Sequence, residues 1–341
     1  MNDRLTELLR ELVDTPSVTG DESAICDLLH QRLGGNRIGN SLVVGSPDDR
    51  PMVLLVGHTD TVPPQGQGRA RIADGRLHGL GSTDMKSGVA VVVDLLETAD
   101  IKSYNPVGIF YAGEEGPSDT DELEMVLDEL PWLRDAFCSF VLEPSDLEVQ
   151  AGCNGVANAD VTFVGVSAHS SRPWLGENAI TKAGRWMSEM HVRKPQPVTI
   201  DGLEFVEVMS VTTATGGLAS NIIPPSFTLN LNYRFPPNRT PAEAEAILLE
   251  AAQGADRVEV TDIAPAGPVE LAHPLVARLV DATGRPPKGK QGWTDVARLA
   301  ARGIPAVNYG PGEVVLAHKP EESVRLSDLV EVRRVIEELL R

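Results

Sequence analysis

The chain has 341 residues, with 49 acidic against 30 basic side chains and a formal charge of −19. That balance excludes nucleic acid and an anionic membrane as expected partners, because both would repel it. Hydrophobic residues at 42% and charged residues at 23% are the mix of an ordinary globular protein, and the length suggests two domains.

The first 14 residues put Leu5, Leu8, Leu9, Leu12 and Val13 on one helical stripe between charges. This predicts an amphipathic helix and not the apolar block of a signal peptide, so the expected location is the cytoplasm. No apolar run approaches the roughly 20 residues that span a bilayer. Residues 88–96 come nearest and are interrupted by Asp94. Cys26, Cys138 and Cys153 cannot all pair, and none forms a Cys-x-x-Cys. They are expected to be small buried hydrophobes in a reducing compartment.

Strand-like runs follow at Met52–Val56, Val107–Tyr111 and Ser139–Leu142, each leading into a polar loop with His or acidic residues. A helix carrying Val89, Val92, Val93 and Leu96 begins after Asp84, and a further strand, Ala306–Tyr309, precedes Gly310-Pro311-Gly312. Alternating strands and helices predict an α/β fold, in which sites gather at the carboxyl ends of strands. From about Gly155 the texture changes to strand (157–166), helix (177–190), two strands (203–212 and 226–235), helix (241–254) and strand (257–262). That order resembles the ferredoxin-like α+β arrangement. Residues 1–154 and 265–341 then form one domain, interrupted by an insert at 155–264.

The chemistry-bearing residues sit where the strands end. His58-Thr59-Asp60 offers an imidazole and a carboxylate two residues on that can orient it. Asp84 lies in a glycine-rich turn opening a helix; a phosphate loop is the rival reading, but the spacing is wrong and Asp84 would repel phosphate. Glu114 and Glu115 are adjacent, so they project to opposite sides and can do two jobs, metal binding and proton transfer. Glu143 and His318 follow later strands. Two His and three carboxylates match the preference of zinc, or of two such ions sharing a carboxylate. No Cys is recruited, so a closed Cys site is excluded, and positions left open to water would make a hydrolytic centre. Lys86 reads as a helix-surface or structural residue rather than a catalytic one.

The chain resembles the dinuclear zinc amidohydrolases of the aminoacylase, acetylornithine deacetylase and carboxypeptidase superfamily. The motifs that carry the resemblance are Gly57–Pro63, Asp84–Gly88, Glu114-Glu115, Glu143-Pro144, Ala168–Pro173, Asn221–Pro224, Asn232–Phe235, Gly292–Asp295 and Ala317–Lys319. The Asn221, Arg234 and Trp293 segments point within it to the branch that hydrolyses N-succinyl-LL-2,6-diaminopimelate. The resemblance implies a zinc-exopeptidase-like catalytic domain whose insert is a lid and dimerisation domain, hence a homodimer. It implies two Zn2+ per chain, with Co2+ an alternative in either position. His58, Asp84 and Glu143 would hold one ion and Asp84, Glu115 and His318 the other, with Asp84 bridging. Asp60 would orient His58, and Glu114 would be the general base. His169 would reach a neighbouring subunit's site to bind the developing oxyanion. Asn221, Arg234 and Thr294 would hold the carboxylates or amide of a small acidic N-acyl amino acid. Relatives commonly carry Asp before the Glu pair, where this chain has Gly113. An acetylornithine-type deacetylase, another N-acyl amino acid deacylase, a dipeptidase or carboxypeptidase, and a metal-free binding protein are the alternatives.

Overall fold

In the computed structural model, which describes residues 2–117 and 119–341, the apolar runs of the first half become neighbouring strands. Met52–His58, buried at every residue, runs parallel to Asn105–Tyr111 on one side and to Cys138–Pro144 on the other. Ala306–Gly310 adds a fourth parallel strand beside Cys138–Pro144. Continuous burial without alternation is what a parallel sheet covered on both faces requires. The full sheet has eight strands, in the order Asn36–Ile38, Ser41–Val44, Asn105–Tyr111, Met52–His58, Cys138–Pro144, Ala306–Gly310, Gln150–Cys153 and Lys288–Lys290.

Helix Lys86–Thr98 crosses from Met52–His58 to Asn105–Tyr111. Gly88 lets it come close to the sheet: a Cβ there would sit 2.3 Å from the Leu142 carbonyl oxygen. Asn2–Asp14 and the last helix, Leu326–Leu340, pack beside it. Buried Asp94 ties the three together, accepting from Arg333 Nε at 2.5 Å and Arg4 Nε at 2.7 Å. Leu5, Leu8, Leu9 and Leu12 form the buried stripe of the first helix as expected, with Val13 only half-buried, and all three cysteines are buried and free. No helix among the described residues is long and apolar enough to cross a membrane.

The chain divides into two compact units, the first comprising Met1–Ala151, Glu270–Lys288 and Arg298–Arg341 and the second Gly152–Val269 and Gly289–Ala297. The second unit is an antiparallel sheet in the order Gln196–Ile200, Leu203–Gly216, Ser226–Phe235, Gly155–Val164, Arg257–Ala264. Without the first of these, it is the ferredoxin-like arrangement read from the sequence. The added edge strand is a hairpin closed by Asp201-Gly202, both at positive φ. The single helix expected over 177–190 is two, Ala179–Lys182 capped by Asn178 and Gly184–Val192, separated beside a glycine that favours the break. Inward residues such as Val161, Phe163, Leu229 and Leu231 pack with Trp186 and Leu248 as this unit's core.

Residues 289–297, placed with the outer domain by the sequence boundaries, fall in the second unit. Gln291 explains it: its Nε2 donates to the Glu204 carbonyl at 2.9 Å and its Oε1 accepts from the Val206 N–H at 2.8 Å. The Trp293 indole N–H adds a bond to the Pro265 carbonyl at 3.1 Å.

Candidate metal centre

The carboxyl ends of the four parallel strands converge in the first unit. His58 is the last residue of its strand, and the Glu114-Glu115 loop follows Asn105–Tyr111. Glu143 is next to last in Cys138–Pro144, and His318 lies in the segment after Ala306–Gly310. Asp84 stands just ahead of the crossover helix. His58 Nε2 is 3.2 Å from Asp84 Oδ1 and 3.8 Å from Glu143 Oε1. On the other side, His318 Nε2 is 3.4 Å from Asp84 Oδ2 and 2.8 Å from Glu115 Oε1. The Asp84 carboxylate therefore turns one oxygen toward each imidazole. Three donor groups lie with their atoms within 4.8 Å of one another: His58–Asp84–Glu143, Asp84–Glu115–His318 and the overlapping His58–Glu114–Glu115.

This donor set fits a pair of divalent ions. Ligands about 2.1 Å from a tetrahedral ion stand about 3.4 Å apart, and three of the four separations cluster there (3.2, 3.4 and 3.8 Å). Charge-assisted hydrogen bonds would be shorter, about 2.7–2.9 Å; only His318–Glu115 is. The electrostatics point the same way. Burial pushes the His58 pKa down, but Asp60 and Asp84 outweigh it and hold the ring well above the ordinary histidine range. Asp84 and Glu115 raise His318 to about 10. Burial alone would raise Asp84, yet His318 and His58 hold it well below the usual carboxylate range. Carboxylates that press two imidazoles upward in this way create a field that favours cations.

The tautomer of His58 follows from its neighbours. Its Nδ1 lies 3.2 Å from the Asp60 carbonyl and 3.4 Å from Asp60 Oδ1, so the proton belongs there and Nε2 is left facing Asp84 and Glu143. Asp60 does more than orient this ring. Its buried carboxylate also accepts the Glu114 N–H at 3.1 Å, the Glu115 N–H at 3.0 Å and the Thr19 hydroxyl at 2.9 Å. Burial alone would raise its pKa, but His58 and these donors hold it below the usual range. The Glu pair thus hangs from the residue that sets His58. Gly113 makes the loop possible: its φ is +84°, and a Cβ would sit 2.1 Å from the Thr120 carbonyl oxygen. A residue with a Cβ does not fit this backbone, so Gly113 is required by the loop as this chain folds it.

Residues 54–341 match the model of the family described as peptidase family M20/M25/M40. The chain belongs to this family. It is accordingly a metallohydrolase, with the α/β fold carrying a ferredoxin-like insert. A succinyl-diaminopimelate desuccinylase of Corynebacterium glutamicum is 35% identical over 351 residues, covering 98% of this chain and 95% of its own length. A Mycobacterium tuberculosis protein that carries that designation provisionally is 37% identical over 332 residues, covering 95% and 94%. Among solved structures, a Staphylococcus aureus tripeptidase superposes with a TM-score of 0.79 at 21% identity, covering 100% of this chain and 98% of its own. At 21% identity the likeness is one of fold.

The other residues singled out by family resemblance all fall in the second unit. His169 is exposed, its Nδ1 accepting from the Ser171 N–H (3.1 Å) and hydroxyl (2.8 Å), and it bridges to Ile222, next to Asn221. Arg234 is half-buried beside Asn232, with Nε 3.2 Å from its Oδ1. Thr294 is buried against Cys153, whose Sγ donates to its carbonyl at 3.7 Å. Lys86 is not on the helix surface: it is buried and donates to the Thr15 carbonyl at 2.8 Å, which fits the structural alternative. Two side chains that hold the loops of this candidate centre escaped the sequence reading: Thr19, on Asp60, and Glu322, on the loop before Asp84. Neither lies at a strand's end or in a ligand-like spacing, so no sequence signal marked them.

Proposed function

We propose that the chain is a dinuclear amidohydrolase that cleaves N-succinyl-LL-2,6-diaminopimelate to succinate and LL-diaminopimelate. The ions are two Zn2+, with Co2+ able to replace either. The observation that carries the two-ion reading is the Asp84 carboxylate, one oxygen toward His58 and the other toward His318. The substrate follows from identity of 35% to the Corynebacterium desuccinylase across nearly both full lengths. His58 and Glu143 would hold one ion, Glu115 and His318 the other, and Asp84 both. When bound, such ions acidify water and polarise the amide carbonyl.

The chain's own groups do the rest. Glu114 takes the proton from the attacking water and gives it to the leaving amine nitrogen. Asp60, through the Glu114 N–H and His58, sets base and ligand from one anchor. The insert closes over the substrate and pairs two chains as a cytoplasmic homodimer. His169 of one chain donates to the developing oxyanion in the other. Asn221, Arg234 and Thr294 hold the substrate's carboxylates and amide. With a charge of −19, an acidic substrate must be captured by local cations, the metals and Arg234.

The test compares kcat/KM for N-succinyl-LL-diaminopimelate, N-acetylornithine and a dipeptide on one metal-assayed sample. Preference for the succinylated substrate supports the proposal, and preference for either competitor replaces it. On the same footing, Glu114→Gln lowers turnover by roughly 10²–10⁴ with metal content kept. Full turnover in the metal-replete variant would remove Glu114 from its role.

A further inference from the structure

Among the buried carboxylates outside the two ion-holding groups, Glu322 is the one that grips the loop before Asp84. Glu322 is 2% exposed and lies four residues beyond His318. Its Oε1 accepts the backbone N–H of Thr83 at 2.8 Å and of Asp84 at 3.0 Å, and its Oε2 accepts that of Gly81 at 2.9 Å. The adjoining backbone continues the clamp. The Gly79 N–H donates to the Glu322 carbonyl at 3.2 Å, and the Thr83 hydroxyl donates to the Ser323 carbonyl at 2.8 Å. Strand Ser323–Arg325 then pairs with Arg76–His78, ahead of the same loop.

Burying a carboxylate is unfavourable unless several donors compensate it, and a neutral side chain would fill the space without that penalty. What the carboxylate adds is direction. Three N–H groups converging on two oxygens fix the peptide planes on both sides of Thr83, and with them the root of the Asp84 side chain. That side chain has only two rotatable bonds, so a fixed backbone leaves its oxygens little freedom.

We infer that Glu322 is a positioning residue that locks the loop of Asp84 to the segment carrying His318, so that a single carboxylate sets these two candidate ligands relative to each other. The inference rests on the dinuclear reading of the site. Partners one step removed from a metal commonly change its affinity 10–100-fold when removed.

The test strips the full chain with a chelator and titrates it with Zn2+ by calorimetry and with Co2+ by visible absorption. Wild-type protein is expected to take two ions; failure to bind any would end the dinuclear reading itself. Glu322→Gln keeps the shape but turns an NH2 toward an N–H, and Glu322→Ala removes all three acceptor contacts. Metal affinity is expected to fall about tenfold in the first and up to about 100-fold in the second, with a changed Co2+ spectrum. Arg333→Ala, which breaks the ion pair to Asp94 ten residues along from Asp84, serves as the stability control. It is expected to unfold earlier while binding metal as the wild type does. Wild-type affinity and spectrum in folded Glu322→Gln, or an equal affinity loss in Arg333→Ala, would overturn the inference. If Glu322→Ala does not fold, Glu322→Gln alone decides.

Discussion

Asp60 shows how much one side chain can be asked to do. It faces the back of His58 and at the same time receives the N–H groups of Glu114 and Glu115. The sequence suggests only the first duty, because spacing along a strand says nothing about a loop more than fifty residues away. Gly113 is the complement of this arrangement. Gly113→Ala would place a Cβ 2.1 Å from the Thr120 oxygen at a φ of +84°, a backbone state that costs non-glycine residues about 1–3 kcal/mol. The expected outcome is a loss of stability of at least that size, measured by urea unfolding of the apo protein. Turnover should fall too, because the loop that yields carries both Glu residues. A fully stable and active variant would show that the loop relaxes without consequence.

Among elements, the parallel strands and the crossover helix were legible because each is a continuous apolar run ended by polar residues or Gly. All five ion-holding candidates lie at their ends for the reason that topology gives: carboxyl ends of parallel strands share one edge. The missed pieces are those with no periodic signature. Gln196–Ile200 is short and half polar, with an edge strand's mixed burial. The segment 289–297 joins the second unit through Gln291, whose amide bonds to backbone that no pattern could announce. Nor did the sequence reveal that Asp94, which breaks an apolar run, is the staple between three helices. Arg333→Ala should lower stability by about 3–5 kcal/mol, since it leaves a buried carboxylate short of its partner. Replacing both groups with apolar ones, Asp94→Leu with Arg333→Met, should lose much less. Equal losses in the single and double variants, by urea denaturation, would mean the pair itself stabilises the fold.

At the scale of the whole molecule, the proposed division of labour between chains can be separated from that within one chain. Glu114→Gln and His169→Ala are each expected to be inactive alone. Mixed after subunit exchange, they should recover activity, because one site of the mixed dimer then has an intact Glu114 and an intact His169. No recovery after exchange is demonstrated would place both residues in the same chain's site. Another property of the molecule follows from where Ala306–Gly310 lies. It fills the space between Cys138–Pro144 and Gln150–Cys153, so a strand made late in synthesis completes the middle of a sheet begun early. Until it arrives, Cys138–Pro144, apolar along nearly its whole length, offers an open edge to any neighbouring chain. Pairing across so long a stretch of chain is slow. The order of synthesis thus builds an aggregation-prone interval into every molecule made, and yield at high expression should depend on how well the cell shields that single edge.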